Sequence, residues 1–513
     1  MKFNNIDWDK YLSKTRNRDS SINNYGKDPD KHFDRRNEFD SDFGRAVFSS
    51  ACRRMHDKTQ VMPLSNDDNV HSRLTHSLEV MSIAQSLGDN VCRDPEFQKI
   101  YEVNYFELER QISAILRTAA IMHDIGNPPF GHFGEHVISK YFEKLFLVEH
   151  LISYKKGALK FHKNKDNKFH LNQHQILDFI QYDGNAQGLR VMTKLQYLND
   201  LDGLNLTFAT LGAYLKYPNT GLANGSYLKY PNTGLAKKKE YIGKKKHGIY
   251  YSENDIFLRI AKECNLNAND KKGNDFIKRH PLSFLVEAAD TICYRSMDIE
   301  DGWNQNWYNF NDIIERINKE IQEINKNEHL DICKIIEYEG FEKDLPKRKK
   351  MVDFRVKLIQ YFVNLATKNF IENLEAIDKG EYSNELLDQD DFKVEEALRN
   401  FNIKYIFNNR EILSAELTGS SVINGLLDIF IDLYFNDDES KRSHIKGITS
   451  KSIIRIAIHE QLNSIIKDSV EFNCFDIIQL DDYRKLRIIV DFVSGMTDQY
   501  AVKLYQRLSG QKL

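Results

Sequence analysis

The chain has 513 residues, 41% hydrophobic and 29% charged, with nine prolines and a formal net charge of -3. That balance excludes a disordered chain, predicts a mostly helical soluble one with short connections, and argues for no particular partner. Six cysteines (Cys52, Cys92, Cys264, Cys293, Cys333, Cys474) without a CxxC pair exclude a disulfide framework and a thiolate zinc site. With no apolar leader in Met1-Lys2-Phe3-Asn4-Asn5-Ile6 and no apolar run of about 18 residues, a cytoplasmic protein without membrane contact is expected.

In chain order, residues 1–42 are polar and Asn/Asp-rich, and read as an N-terminal arm that orders only against a neighbour or the main body. Helical patterning starts near Asp42. Three or four helices follow over residues 45–151, interrupted at 62–68 and at Pro128-Pro129, which cannot continue a helix. Residues 153–170 are Lys-, His- and Asn-rich and form a loop or short hairpin, and a helix starts near Asn172. The ten residues 214–223 recur letter for letter at 227–236. Two copies cannot stack into a solenoid, so one is an inserted loop or a sequence artefact. Six lysines follow within residues 237–246; such a run usually stays solvated, the alternative being an anion-facing loop for triphosphate or nucleic acid. Beyond Pro281 the pattern is helical almost to the end, including 352–375 and 451–469. The expected fold is all-α, with a core over 43–310 carrying an insertion at about 214–250, a C-terminal helical region over 311–513 packed on it, and at most a small β-hairpin, placed near residues 246–251.

The chemistry concentrates in His123-Asp124-Ile125-Gly126-Asn127-Pro128-Pro129-Phe130-Gly131-His132-Phe133-Gly134-Glu135. The apolar, Ala-rich run 112–122 ahead of it is helical in spacing, so His123 and Asp124 should end a buried helix, where a carboxylate needs a partner. His76 alone would read as a hydrogen-bonded core histidine. The adjacent His123-Asp124 pair changes that weighing, because the two side chains converge only if something such as a cation holds both. Asp290 lies in another apolar helix, and Asp290, Tyr294 and Asp298 at i, i+4 and i+8 share one face within roughly 12 Å; an exposed polar stripe is the plainer alternative. His76, His123, Asp124 and Asp290 form a mixed N/O donor set that suits Mn, Fe, Co, Ni or Zn better than Ca, and leaves positions for a water and a phosphoryl oxygen. His132 and Glu135, three apart, can face one cavity and move a proton, unless they are a capping Glu and a surface His.

These residues give the chain a resemblance to the bacterial deoxyguanosine triphosphate triphosphohydrolases of the HD superfamily. Further support comes from Arg53-Arg54 with Lys58-Thr59-Gln60-Val61, Gly184-Asn185-Ala186-Gln187-Gly188, Leu206-Thr207 leading to Leu215-Lys216-Tyr217, and Ser494-Gly495-Met496-Thr497-Asp498-Gln499-Tyr500. The resemblance implies an HD-domain helical core and hydrolysis of dGTP or another dNTP at the α-phosphorus, giving a deoxynucleoside and inorganic triphosphate. It implies a divalent metal, Mn or Mg first, on His76, His123, Asp124 and Asp290, with His132 as the catalytic histidine and Glu135 as its partner. Arg53, Arg73, Asn185, Lys216 and Tyr217 would bind substrate, Arg73 and Lys216-Tyr217 at the phosphates. Gln60, Tyr294 and Asp298 would surround the sugar, Tyr294 disfavouring a ribose at C2′. Lys229-Tyr230 matches as well as Lys216-Tyr217, and continuity with Leu206-Thr207 favours the first copy. A homohexamer with single-stranded DNA as effector is implied too.

Overall fold

The computed structural model describes residues 6–18, 36–64, 70–99, 105–155, 158–162, 168–196, 202–220, 241–269, 273, 275–341, 343–436, 438, 440, 444–462, 472 and 475–511. The principal helices, in chain order, are α1 (Glu38–Val47), α2 (Arg73–Arg93), α3 (Tyr105–Met122), α4 (Gly131–Val148), α5 (Gln173–Ile180), α6 (Gly184–Arg190), α7 (Phe208–Tyr214), α8 (Asn254–Glu263), α9 (Pro281–Asn304), α10 (Phe310–Asn325), α11 (Lys347–Asp378), α12 (Val394–Asn402), α13 (Arg410–Phe435), α14 (Lys451–Leu462), α15 (Asp482–Ser494) and α16 (Asp498–Leu508). The fold is helical, as its sequence pattern predicts. Among the described residues no helix is long and apolar enough to cross a membrane.

Two apolar cores divide the molecule. The first joins α1, α2, α3 and α7 to α12, and takes in Trp8, Tyr11 and Leu12 from the N-terminal segment. The second is built from α4, α5 and α13 to α16. The chain crosses between them just after α3: Met122 and Ile125 are buried in the first core, Phe130 and Val137 in the second.

Local signals set the starts of the helices that carry the site. Ser72 and Thr75 form a reciprocal capping box ahead of α2, which fixes where Arg73 and His76 emerge. Helix α9 begins at Pro281, whose missing N–H costs nothing at the first position, behind the N-cap His280. Burial pushes the His280 imidazole down to about 4. It therefore accepts from Leu282 N–H at 3.2 Å through Nδ1 while Nε2–H donates to the Tyr11 carbonyl at 2.8 Å, tying the N-terminal segment to the helix that bears Asp290. The capping box of Asn37 and Asp40 starts α1 at Glu38, four residues ahead of Asp42.

The strand pairs are Ile152–Lys155 with Ala158–Phe161 and Asn267–Asn269 with Asp275–Ile277, both antiparallel. The hairpin expected near residues 246–251 is not there. That backbone is satisfied by other groups: Asn219 Nδ2 donates to the carbonyls of Lys244 (3.3 Å) and Lys246 (3.1 Å), Gly248 N–H donates to Asn219 O, and Tyr251 N–H donates to Asp178. The second copy of the repeat, with Lys229 and Tyr230, and Lys237 to Lys239 lie outside the described residues.

A buried ionic knot fastens α6 to the C-terminal helices. Arg190 donates to Asp491 (2.8 Å), Glu253 (2.9 Å) and Glu460 (2.9 Å), and is 1% exposed. Replacing it removes the cation that all three carboxylates share and leaves only Lys194 beside Glu253 and Glu460 and Arg487 beside Asp491, so Arg190→Met is expected to lower the unfolding free energy by about 3–5 kcal/mol, read from urea denaturation.

Candidate active site

Helix α3 ends at Met122, and His123 and Asp124 occupy the turn beyond it. His123 Nδ1–H donates to the Ala120 carbonyl at 2.7 Å, which fixes the tautomer and turns Nε2 inward. That Nε2 is buried without a hydrogen-bond partner, 3.4 Å from Asp290 Oδ1 and 3.5 Å from Asp124 Oδ1. His76 Nε2 lies 3.0 Å from the same Asp290 oxygen, and one donor atom from each of His76, His123 and Asp290 falls within 4.8 Å of the others. Two imidazole nitrogens and a carboxylate oxygen converging on one point, one nitrogen orphaned, fit a divalent cation. Burial alone would lower the His123 imidazole; the Asp124 and Asp290 carboxylates overcome that and hold it at about 9. Burial would likewise raise Asp290, but His123 and His76 hold it well below the usual carboxylate range.

Asp124 stands at the edge of this cluster. Its Oδ2 accepts from Arg73 Nη1 at 2.5 Å and its Oδ1 from Asn127 Nδ2 at 2.6 Å. Arg73 thus lies against a carboxylate, and its Nε has no hydrogen-bond partner. Gly131 adopts φ +58°, and a Cβ there would collide with the Arg73 guanidinium, so only glycine allows this approach.

A cleft of about 140 Å³ opens beside the cluster, lined by His123, Asp124 and Asp290 together with Lys216, Tyr217 and Lys246; His132, Asn127, Asn185, Tyr214 and Glu287 also reach it. His132 Nδ1–H donates to Glu135 Oε2 at 3.1 Å, and Glu135 Oε1 accepts from Gly184 N–H at 2.9 Å. A Cβ on Gly184 would collide with Asn127 Oδ1 and Glu135 Oε1, so α6 reaches Glu135 only through a glycine. The adjacent Glu135 carboxylate raises the His132 pKa. Lys216 pairs with Glu287, and Lys246 Nζ lies 3.0 Å from Asp183 Oδ2. Asn185 N–H and Nδ2 both donate to Asp183 Oδ1.

The structure therefore brings His76, His123, Asp124, Asp290, His132, Glu135, Asn185, Lys216 and Tyr217 together around one cleft. On α9, Tyr294 and Asp298 lie one and two turns beyond Asp290. Burial, reinforced by Asp301, raises the Asp298 carboxyl well above the usual range. Gln60 has a buried Oε1 without a partner. Arg53 is not at the cleft; it lines a separate cavity of about 740 Å³ with Arg45, Arg54 and Lys58. Sequence reasoning missed Lys246, Tyr214 and Glu287. Lys246 belonged to a run read by default as solvated, Tyr214 opens the repeat as an ordinary aromatic, and Glu287 sits three residues before Asp290 at a spacing that would have placed both on one helical face.

Residues 73–185 match the HD domain family, and residues 475–507 match the phosphohydrolase-associated domain. A deoxyguanosinetriphosphate triphosphohydrolase-like protein of Listeria innocua is 34% identical over 98% of this chain and 99% of its own length. A like-named protein of Synechocystis is 29% identical over 99% of this chain and all of its own length. The deoxyguanosinetriphosphate triphosphohydrolase of Klebsiella pneumoniae strain 342 is 30% identical over 92% of this chain and 93% of its own. Similarity of this extent, on top of a metal-type cluster beside the hydrogen-bonded His132–Glu135 pair, places the chain as a phosphohydrolase in the deoxyguanosinetriphosphate triphosphohydrolase family of the HD superfamily.

Proposed function

We propose that this enzyme hydrolyses deoxynucleoside triphosphates, dGTP foremost, at the α-phosphorus, releasing the deoxynucleoside and intact inorganic triphosphate. The observation that carries the reading is the company the cleft keeps: His123, Asp124 and Asp290 line it together with His132, Lys216, Tyr217 and Lys246, so metal-type donors, an imidazole held by a carboxylate and two ammonium groups meet in one space. A divalent cation on His76, His123, Asp124 and Asp290, Mn or Mg in the first instance, would supply Lewis-acid polarisation of a phosphoryl oxygen and acidify a water.

The chain's own groups do the rest. Glu135, fixed by the Gly184 amide, keeps the His132 imidazole protonated to higher pH, so that it can deliver a proton to the 5′ oxygen as the bond to the α-phosphorus breaks. Lys216 and Lys246 exchange Glu287 and Asp183 for phosphate oxygens, with Tyr217 and Asn185 beside them, and Arg73 adds a guanidinium from the Asp124 side. Gln60 and Asp298 hold the sugar and its 3′-hydroxyl, the raised Asp298 carboxyl serving as a donor, and Tyr294 crowds C2′ against a ribose. Arg53 has no part in this assignment. By the family resemblance we assign a cytoplasmic homohexamer whose turnover responds to single-stranded DNA.

Protein loaded with Mn is expected to convert dGTP to deoxyguanosine and triphosphate and to lose activity on chelation; orthophosphate or pyrophosphate among the products would refute the reaction. Glu135→Gln keeps the acceptor for Gly184 but removes the charge that raises His132. Because a raised imidazole loses its proton as pH climbs through its pKa, the alkaline limb of kcat is expected to move to lower pH, with a loss of about 10²-fold at pH 8. For Tyr294→Ala, the ratio of dGTP to GTP turnover is expected to fall by roughly 10-fold or more, measured by competition between the two nucleotides.

A further inference from the structure

The motif Ser494-Gly495-Met496-Thr497-Asp498 lines no wall of the cleft, yet it touches the segments that do the chemistry. Asp498, 1% exposed at the start of α16, bridges two of them with one carboxylate. Its Oδ1 accepts from Phe130 N–H at 2.9 Å; its Oδ2 accepts from Thr59 N–H at 3.1 Å and Thr59 Oγ1–H at 2.5 Å. Thr59 precedes Gln60, and Phe130 stands two residues ahead of His132. Beside it the buried Lys58 Nζ donates to the carbonyls of Asn127 at 2.5 Å and Ser494 at 2.9 Å. Five hydrogen bonds thus tie residues 58–59, the turn 127–130 and residues 494–498 at one place.

Phe130 is where such a tie has most effect. Its φ of 62° is left-handed, a conformation a bulky side chain rarely adopts, and it sets the direction in which α4 leaves the turn. That direction lays Gly131 against Arg73 and carries His132 and Glu135 to the cleft. The Phe130 amide, at the N-terminal end of α4, has no partner within the helix and is taken by Asp498.

We infer that Asp498 and Lys58 are positioning residues: through one buried carboxylate and one buried amine, the C-terminal segment holds the Gln60 loop and the His132–Glu135 pair in register with each other. The geometry of this clamp is independent of the reaction, and its kinetic consequence rests on the function proposed above. A side chain that merely filled space would raise exchange everywhere or nowhere; a clamp releases two remote segments together.

The test is Asp498→Asn in the metal-loaded, full-length protein. Amide hydrogen exchange without substrate should accelerate about 10-fold or more at both Thr59 and Phe130, with α2 and α9 unchanged. With dGTP, kcat should fall by about 10²-fold, the scale of a small misplacement of reacting groups, while KM stays within about 3-fold. Thr59→Val, which removes one of the three Asp498 bonds, should give a smaller loss that does not add to that of Asp498→Asn, and Thr59→Ser should restore it. Should Asp498→Asn fail to fold, Thr59→Val carries both measurements. Unchanged exchange at Phe130, acceleration spread over α2 and α9, or accelerated exchange with kcat unaltered would each overturn the inference. Release of orthophosphate by the wild-type protein would sink the reaction instead, and the exchange measurement would still decide the clamp.

Discussion

Between Met122 and Gly131 the chain leaves one apolar core and enters another without a solvated loop, and it carries His123, Asp124 and Asn127 across the seam. Burying a carboxylate there is unfavourable by several kcal/mol unless it is paired. Arg73 and Asn127 meet that requirement for Asp124, and the two imidazoles meet it for Asp290. The same constraint explains the glycines and prolines of the turn. Pro128-Pro129 stops α3 from continuing, and the left-handed Phe130 with Gly131 starts α4 in a new direction. Two helix ends, each with backbone groups lacking a helical partner, are thereby gathered around one point.

Charge in the cleft is balanced in pairs that a phosphate chain can take over. Arg73 faces Asp124, Lys216 faces Glu287, and Lys246 faces Asp183. Moving Lys216 onto a phosphate would strand the Glu287 carboxylate in a buried place. Burial already raises the Glu287 pKa, with Glu385 and Asp290 pushing the same way against Lys216, so proton uptake by Glu287 can accompany the exchange. On the proposed reading, the cost of separating each pair would be offset by the charge-assisted bonds that a phosphate offers the cation.

What was legible in the sequence was chemistry crowded into a short stretch or set at helical spacing. His123-Asp124 could be read because an ionisable pair at the end of an Ala/Ile helix is unfavourable unless a partner or a cation meets it, and His132-Glu135 because residues three apart on a helix share a face. Asp290 could be read because apolar residues, Ala288, Ala289 and Ile292, surround it in the sequence. Lys246 could not be told from its neighbours in a run of lysines, since what distinguishes it is Asp183 at 3.0 Å, 63 positions earlier in the chain. The expected hairpin at 246–251 failed for a related reason: Asn219 and Asp178 supply the partners that a strand would have supplied. Nor does hydrophobic period reveal which core a helix joins. Helices α4 and α13 to α16 share a core across almost the whole chain, and nothing local to either segment encodes that pairing.

The HD stretch, residues 73–185, contains His76, His123, Asp124, His132 and Glu135 but neither Asp290 nor any lysine that lines the cleft. Taken alone it would leave the donor cluster one carboxylate short and the cleft without its lysines. Asp290 arrives on α9, and Lys216 and Lys246 arrive from the segment between α7 and α8. The C-terminal stretch then contributes Asp498 and the Ser494 carbonyl, which contact the backbone of the turn and the neighbouring Lys58-Thr59 rather than the cleft. An HD match therefore locates a metal-type site without naming what enters it. On the proposed reading the substrate would be selected by residues that later elements bring to the cleft, and the far end of the chain meets the turn through Asp498 and, by way of Lys58, the Ser494 carbonyl.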